Sequence, residues 1–224
     1  VKKLLRDAAD GAFRFLYCSP ERLESRLFTD YLPVLPVSLL VIDEAHCISQ
    51  WGYDFRPPYL RIAATRKQLP DIPLIALTAS ATPMVQEDIV QKLELKKTAV
   101  FRQSFERPNL SYSVFSVESK LIKIIDILQK VPGSSIVYCN NRRQTKKVAE
   151  ALLLQGISAD YYHAGLAQPV REMKQQAWIQ NKVRTMVCTN AFGMGIDKPD
   201  VRVVIHHDVP ECLENYYQEA GRAG

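Results

Sequence analysis

No apolar run in the 224 residues approaches the ~20 needed to cross a bilayer, and the opening Val-Lys-Lys-Leu-Leu-Arg-Asp lacks the apolar stretch and cleavage signal of a secretory leader. No membrane partner is expected. The five cysteines, Cys18, Cys47, Cys139, Cys188 and Cys212, are scattered, odd in number and without a C-x-x-C pair. That argues against a disulfide frame or a zinc site and for reduced thiols in a cytosolic protein. No short repeat is present, and the chain does not begin with Met, which suggests an internal piece of a longer protein. The net charge of +5 is too mild to demand a phosphate-rich partner. With 47% hydrophobic and 24% charged residues, disorder is not the expectation.

What is there reads as α/β. Short apolar runs rich in β-branched residues alternate with stretches of helical period, the pattern of parallel sheets flanked by helices. The expected strands cover 12–17, 37–42, 73–77, 134–139, 184–188 and 202–206. Ser19 with Pro20 and Thr82 with Pro83 have the form of an N-cap followed by proline in the first turn, so both should open helices. Leu121, Ile124, Ile125 and Leu128 share one helical face, and Gly156 stands where a helix starting near Arg142 should stop. Around 104–118 the sequence turns polar and aperiodic. This is either a domain boundary, giving units 1–105 and 106–224, or a long connection within one domain.

The strand ending Val41-Ile42 runs into Asp43 and Glu44. Two carboxylates at a strand's carboxyl end suit a magnesium-nucleotide site, the first holding Mg²⁺ through water, the second orienting and deprotonating the attacking water. As a bare pair they can equally end a strand or cap a helix. His46 can be a satisfied polar residue or a ligand, although no second His or Cys stands at H-E-x-x-H spacing. Next comes Gln50-Trp51-Gly52-Tyr53-Asp54-Phe55-Arg56-Pro57-Pro58-Tyr59, aromatics interleaved with arginine, two prolines precluding a regular helix. Such rings can stack on bases beside a phosphate-attracting cation, or be buried over a sheet edge.

Taken together, DEAH followed by CISQWGYDFRP-x-Y resembles the DEAH box and aromatic-rich loop of the RecQ helicases in superfamily 2. The resemblance continues in order through Tyr17-Cys18-Ser19-Pro20-Glu21-Arg22-Leu23, Ala76-Leu77-Thr78-Ala79-Ser80-Ala81-Thr82 (motif III) and Phe105-Glu106-Arg107-Pro108-Asn109. Beyond the boundary follow Val137-Tyr138-Cys139-Asn140-Asn141-Arg142 (motif IV), Tyr162-His163-Ala164-Gly165-Leu166, Ala191 to Pro199 (motif V) and Tyr216 to Gly224 (most of motif VI).

The resemblance implies two RecA-like lobes, both incomplete, and an ATP-dependent 3′–5′ DNA helicase serving repair and recombination. It assigns Asp43 to Mg²⁺ and, with Glu44, His46, Gln218 and Arg222, to hydrolysis. Gly195 and Asp197 join Asp43 and Arg222 at the nucleotide. Gln50, Trp51, Phe55 and Arg56 sense single-stranded DNA and couple it to hydrolysis, and Asn140, Arg142, His163 and Thr189 supply donors to DNA. ATP and Mg²⁺ are the implied cofactors. Single-stranded and partly duplex DNA are the implied partners, with a single-strand-binding protein beside them, in a bacterial cytoplasm near the nucleoid.

One departure matters. No G-x-x-x-x-G-K-[ST] run is present, so the loop that cradles nucleotide phosphates is missing, and the second arginine of motif VI is not in the chain. Little ATPase activity is therefore expected of these 224 residues alone. The rivals are a non-enzymatic binding module and an RNA-directed helicase of the same superfamily.

Overall fold

The computed structural model describes residues 1–52, 54–193, 196 and 198–224. The chain divides into two compact units, Val1–Arg102 and Gln103–Gly224.

The first unit carries helices α1 (Lys2–Ala9) and α2 (Arg26–Tyr31), strand β1 (Leu40–Ile42), helix α3 (Arg61–Gln68), strand β2 (Leu74–Ala76) and helix α4 (Pro83–Lys92). β1 and β2 pair in parallel, with Ile42 opposite Ala76. Four short 3₁₀ turns lie between these elements, at Pro20–Glu24, Leu32–Val34, Ala45–Ile48 and Pro57–Leu60. Pro83 opens α4 as expected, and the Thr82 hydroxyl accepts the Val85 N–H, satisfying one of the helix's orphan donors. Behind the strand pair, Ile42, Ala45, Ile48, Tyr59, Val85 and Leu93 form one buried cluster.

Two expectations fail in this unit. Residues 12–17 are not a strand; they run irregularly, with Phe15 and Tyr17 77% and 90% exposed. An apolar run becomes a strand only where a neighbour takes up its backbone groups, and among the described residues β1 and β2 pair with each other alone. Ser19-Pro20 opens a single 3₁₀ turn, Pro20–Glu24, with no capping bond from the Ser19 side chain.

The second unit comprises α5 (Lys120–Lys130), β3 (Ser134–Tyr138), α6 (Arg142–Leu154), β4 (Ala159–Tyr162), α7 (Gln168–Ile179), β5 (Thr185–Cys188), β6 (Val201–His206) and α8 (Leu213–Ala220). Its four strands are parallel in the order β4-β5-β3-β6. β4 escapes a search for apolar runs because Ala-Asp-Tyr-Tyr has a carboxylate in it. Asp160 is held by the Lys174 ammonium, which also lies 4.1 Å from the centre of the Tyr161 ring.

Both faces of this sheet are covered, as parallel strands require. One face packs Ile124 and Leu128 of α5 with Val148 and Leu152 of α6 onto Val137 and Val187. On the other, Trp178 meets Phe192 edge-on at 5.3 Å and its indole N–H donates to the Ser135 carbonyl at 3.3 Å. Truncating a fully buried leucine such as Leu128 in this setting costs about 2–5 kcal/mol.

Candidate nucleotide and nucleic-acid sites

In the first unit the site is built at the carboxyl end of β1. Leu77 donates its N–H to the Ile42 carbonyl and Ala45 donates to the Leu77 carbonyl, both at 2.8 Å, so the chain after β1 is stitched to the chain after β2. Between them Glu44 takes a left-handed conformation (φ 49, ψ 43) and its N–H donates to Asp43 Oδ1 at 2.9 Å. This turn sends Asp43 outward, exposed, and starts the buried 3₁₀ turn Ala45–Ile48.

His46 is the hinge of the site, 2% exposed. Its Nδ1 lies 2.9 Å from Thr78 Oγ1 and 3.3 Å from Glu44 Oε2. Burial pulls the imidazole's pKa below its usual value, so the ring is neutral. Its Nδ1 side faces the Thr78 hydroxyl and the Glu44 carboxylate, and its Nε2 side faces Cys47 Sγ at 3.6 Å. Tyr59 donates its hydroxyl to the Asp43 carbonyl at 3.2 Å, and burial pushes that phenol up to about 12.

The aromatic loop starts where the 3₁₀ turn ends. Arg56 N–H donates to the Cys47 carbonyl, closing the loop on itself. Gly52 is required there, since a Cβ at that position would lie 2.7 Å from the His46 carbonyl oxygen. Trp51 is 68% exposed, which removes the reading of it as a core ring. Gln50 is also exposed and Phe55 half-buried. Arg56 pairs with Glu21 at 2.7 Å and lies over the Tyr59 ring, so the segment containing Pro20 and Glu21 positions this loop's cation.

In the second unit, the register aligns Tyr162 with Cys188, Cys188 with Tyr138 and Tyr138 with His206. The residues that follow these strand ends, His163, Thr189, Cys139 and His207, therefore form one row along the carboxyl edge of the sheet, where parallel α/β folds place ligands, and Asn140 comes one residue after Cys139. Asn140 is engaged on both sides, its N–H donating to Asp208 Oδ2 at 3.2 Å and its side chain to the Val209 carbonyl at 3.4 Å. Arg142 and His163 are brought together over Gly165, where a Cβ would lie 2.7 Å from Arg142 Nη1 and 3.3 Å from His163 Nδ1. Burial first, and the Arg142 charge second, hold His163 below the usual imidazole pKa.

Beside this pair lies a surface cavity of about 470 Å³, lined also by Arg143, Lys146, Lys147 and Tyr161. These three cations escaped the motif reading, although Arg-Arg-Gln-Thr-Lys-Lys at the start of α6 was a visible signal: positions one, two, five and six share a side of a helix.

Gln218 sits half-buried on α8. Arg222 turns back and donates to the Gly193 carbonyl. Gly193 has φ 137 and no room for a side chain, because a Cβ would run into the Arg222 guanidinium. Gly195 and Asp197 lie outside the described residues. Lys198 of the same motif is an anchor: 8% exposed, it reaches Asp200 and Asn181 at 2.7 Å each. His206, at the end of β6, stacks on Tyr138 and pairs with Glu219 of α8 at 2.9 Å, joining motif VI to the strand.

Two parallel α/β units, one with paired carboxylates at a strand end and the other with a basic carboxyl edge, define a DEAD/DEAH box helicase core. Residues 1–89 match the DEAD/DEAH box helicase family, and residues 117–224 match the helicase conserved C-terminal domain. Among solved structures the fold is similar to that of the Mycobacterium smegmatis helicase Lhr bound to ssDNA and AMP-PNP. The TM-score is 0.67 at 22% identity, over 91% of this chain and 29% of that one. It is likewise similar to Saccharomyces cerevisiae Dbp5 bound to RNA and ADP BeF3, with TM-score 0.66 at 17% identity over 85% and 52%. These likenesses establish RecA-like units.

In sequence the chain is 42% identical to the ATP-dependent DNA helicase RecQ of Haemophilus influenzae, over 96% of this chain and 35% of that protein. It is 43% identical to the probable ATP-dependent DNA helicase RecS of Bacillus subtilis, over 95% and 44%. The chain belongs to the RecQ family of helicases. It spans less than half the length of these relatives. No helix among the described residues is long and apolar enough to cross a membrane.

Proposed function

We propose that the protein containing this chain couples ATP hydrolysis to 3′–5′ movement along single-stranded DNA, and so separates duplexes in repair and recombination. The observation that carries the reading is the His46 bridge. One buried ring touches Glu44 of the DEAH box and Thr78 of motif III, and the aromatic loop follows it directly in sequence.

Asp43 offers an exposed carboxylate at a strand end, a hard oxygen donor of the kind that holds Mg²⁺ through its waters. Bound there, the ion would neutralise charge on the nucleotide phosphates. Glu44 takes the proton of the attacking water, and His46 fixes the Glu44 carboxylate. Gln218 and Arg222 act in hydrolysis, and Gly195, Asp197 and Arg222 at the nucleotide. Exposed Trp51 stacks on a base, with Gln50, Phe55 and Arg56 around it. Asn140, Arg142, His163 and Thr189 meet the DNA backbone.

Without a G-x-x-x-x-G-K-[ST] run, the 224-residue chain by itself turns over ATP slowly. The polymer specificity is tested by competing single-stranded DNA against RNA for stimulation of ATPase activity in the complete gene product. DNA should stimulate strongly and RNA weakly; equal stimulation would favour an RNA-directed relative. A single-strand-binding protein as partner and a bacterial cytoplasmic setting belong to the same reading.

A further inference from the structure

The fold assembles a ligand set that spacing along the sequence does not reveal. His46, Cys47 and Asp54 place one donor atom each within 4.8 Å of one another. The His46 Nε2 to Cys47 Sγ distance is 3.6 Å and the Cys47 Sγ to Asp54 Oδ2 distance is 3.7 Å. Zinc bonds to sulfur, nitrogen and carboxylate oxygen of usual length, arranged as a tetrahedron, give edges of about 3.5 Å. Two edges of such a tetrahedron are therefore already present.

The surroundings fit as well. Metal-bound histidines use one ring nitrogen for the ion and the other for an orienting partner, often a carboxylate. In His46, Nδ1 faces Thr78 and Glu44 and Nε2 faces Cys47 Sγ, so the two ring nitrogens point to different groups. His46 and Cys47 are buried, whereas Asp54 is exposed and gives an ion a way in.

The geometry points to a binding site for a thiophilic divalent cation, Zn²⁺ in the first place, on His46 Nε2, Cys47 Sγ and an Asp54 carboxylate oxygen. Binding forms three metal–protein bonds, releases the Cys47 thiol proton to solvent and leaves the fourth position to water. The ion ties Asp54 of the aromatic loop to the DEAH box, so the loop carrying Trp51 can no longer move against His46. Zinc is thereby an inhibitor of DNA-stimulated hydrolysis. That consequence rests on the helicase reading; the binding does not.

The test uses Co²⁺ as a spectroscopic stand-in for Zn²⁺ on the 224-residue chain, with folding of each variant checked by circular dichroism. One Co²⁺ per chain should give tetrahedral d–d bands and a thiolate charge-transfer band, both abolished by added Zn²⁺ and absent in Cys47→Ser. Asp54→Asn changes only an exposed side chain and should weaken Co²⁺ binding by ~10-fold or more, since even outer-shell partners are worth that much. Cys18→Ser should bind as the parent does. A thiolate band that persists in Cys47→Ser, or equal affinities for Asp54→Asn and the parent, would overturn the site. In the complete gene product, Zn²⁺ should suppress stimulation in the parent but not in Asp54→Asn. Equal suppression in both would overturn the regulatory consequence. A lack of DNA stimulation before zinc is added would instead count against the helicase reading.

Discussion

His46 Nδ1 lies 2.9 Å from Thr78 Oγ1, a contact across 32 residues that joins the box after β1 to the hydroxyl-rich segment after β2. The same nitrogen is 3.3 Å from Glu44 Oε2, so the orientation of the proposed base depends on Thr78.

Thr78→Val removes the hydroxyl while keeping the shape. A hydrogen bond of this kind is worth about 1 kcal/mol, so hydrolysis by the complete gene product should fall roughly fivefold with nucleotide affinity little changed. Steady-state ATPase assays beside equilibrium nucleotide binding check this. A loss of affinity without loss of turnover would place Thr78 in binding and not in orientation.

Trp51→Ala addresses the loop. Base stacking is worth about 1–3 kcal/mol per base, and the backbone contacts survive, so DNA should still bind, more weakly. Stimulation of ATPase at saturating DNA should fall far more than affinity does. Fluorescence anisotropy with labelled single strands and ATPase titrations separate the two. Normal stimulation would assign the exposed ring no part in coupling.

His163 gives a pH dependence of defined sign. Its folded pKa is depressed by burial and by Arg142, so on acidification the unfolded chain takes up this proton first. The stability of the second unit is therefore complete above the ordinary imidazole value near 6.5 and declines as pH falls below it towards the folded pKa. Urea unfolding at pH 7.5 and 5.5 should show a smaller loss in His163→Asn than in the parent. Identical losses would mean that the ring is not held neutral.

Much of this is legible in the sequence itself. Ile136-Val137-Tyr138 of β3 and Met186-Val187-Cys188 of β5 are consecutive apolar residues, and both strands are buried throughout because both faces of the second sheet are covered. Thr82-Pro83 announced α4, and the residues of the α5 face packed as their spacing required. Residues 12–17 have a strand's composition, but among the described residues no strand pairs with them, so composition alone misleads. β4 has strand neighbours but carries Asp160, whose charge is balanced by Lys174 from a helix the sequence cannot place beside it. The site divides in the same way. Carboxylates after an apolar strand and a loop of interleaved rings are local patterns, whereas the His46–Thr78 bridge, the Arg142–His163 pair over Gly165 and the His46, Cys47 and Asp54 cluster are products of tertiary structure.

The central claim, that Glu44 is the base of a DNA-coupled ATPase, is tested most directly by Glu44→Gln in the complete gene product. Magnesium-dependent ATP hydrolysis is measured with and without single-stranded DNA, alongside ATP binding. The account predicts ATP affinity close to the parent's and a hydrolysis rate lower by about 10²-fold or more, since an amide cannot accept the proton. Turnover near the parent rate, with DNA stimulation intact, would contradict it.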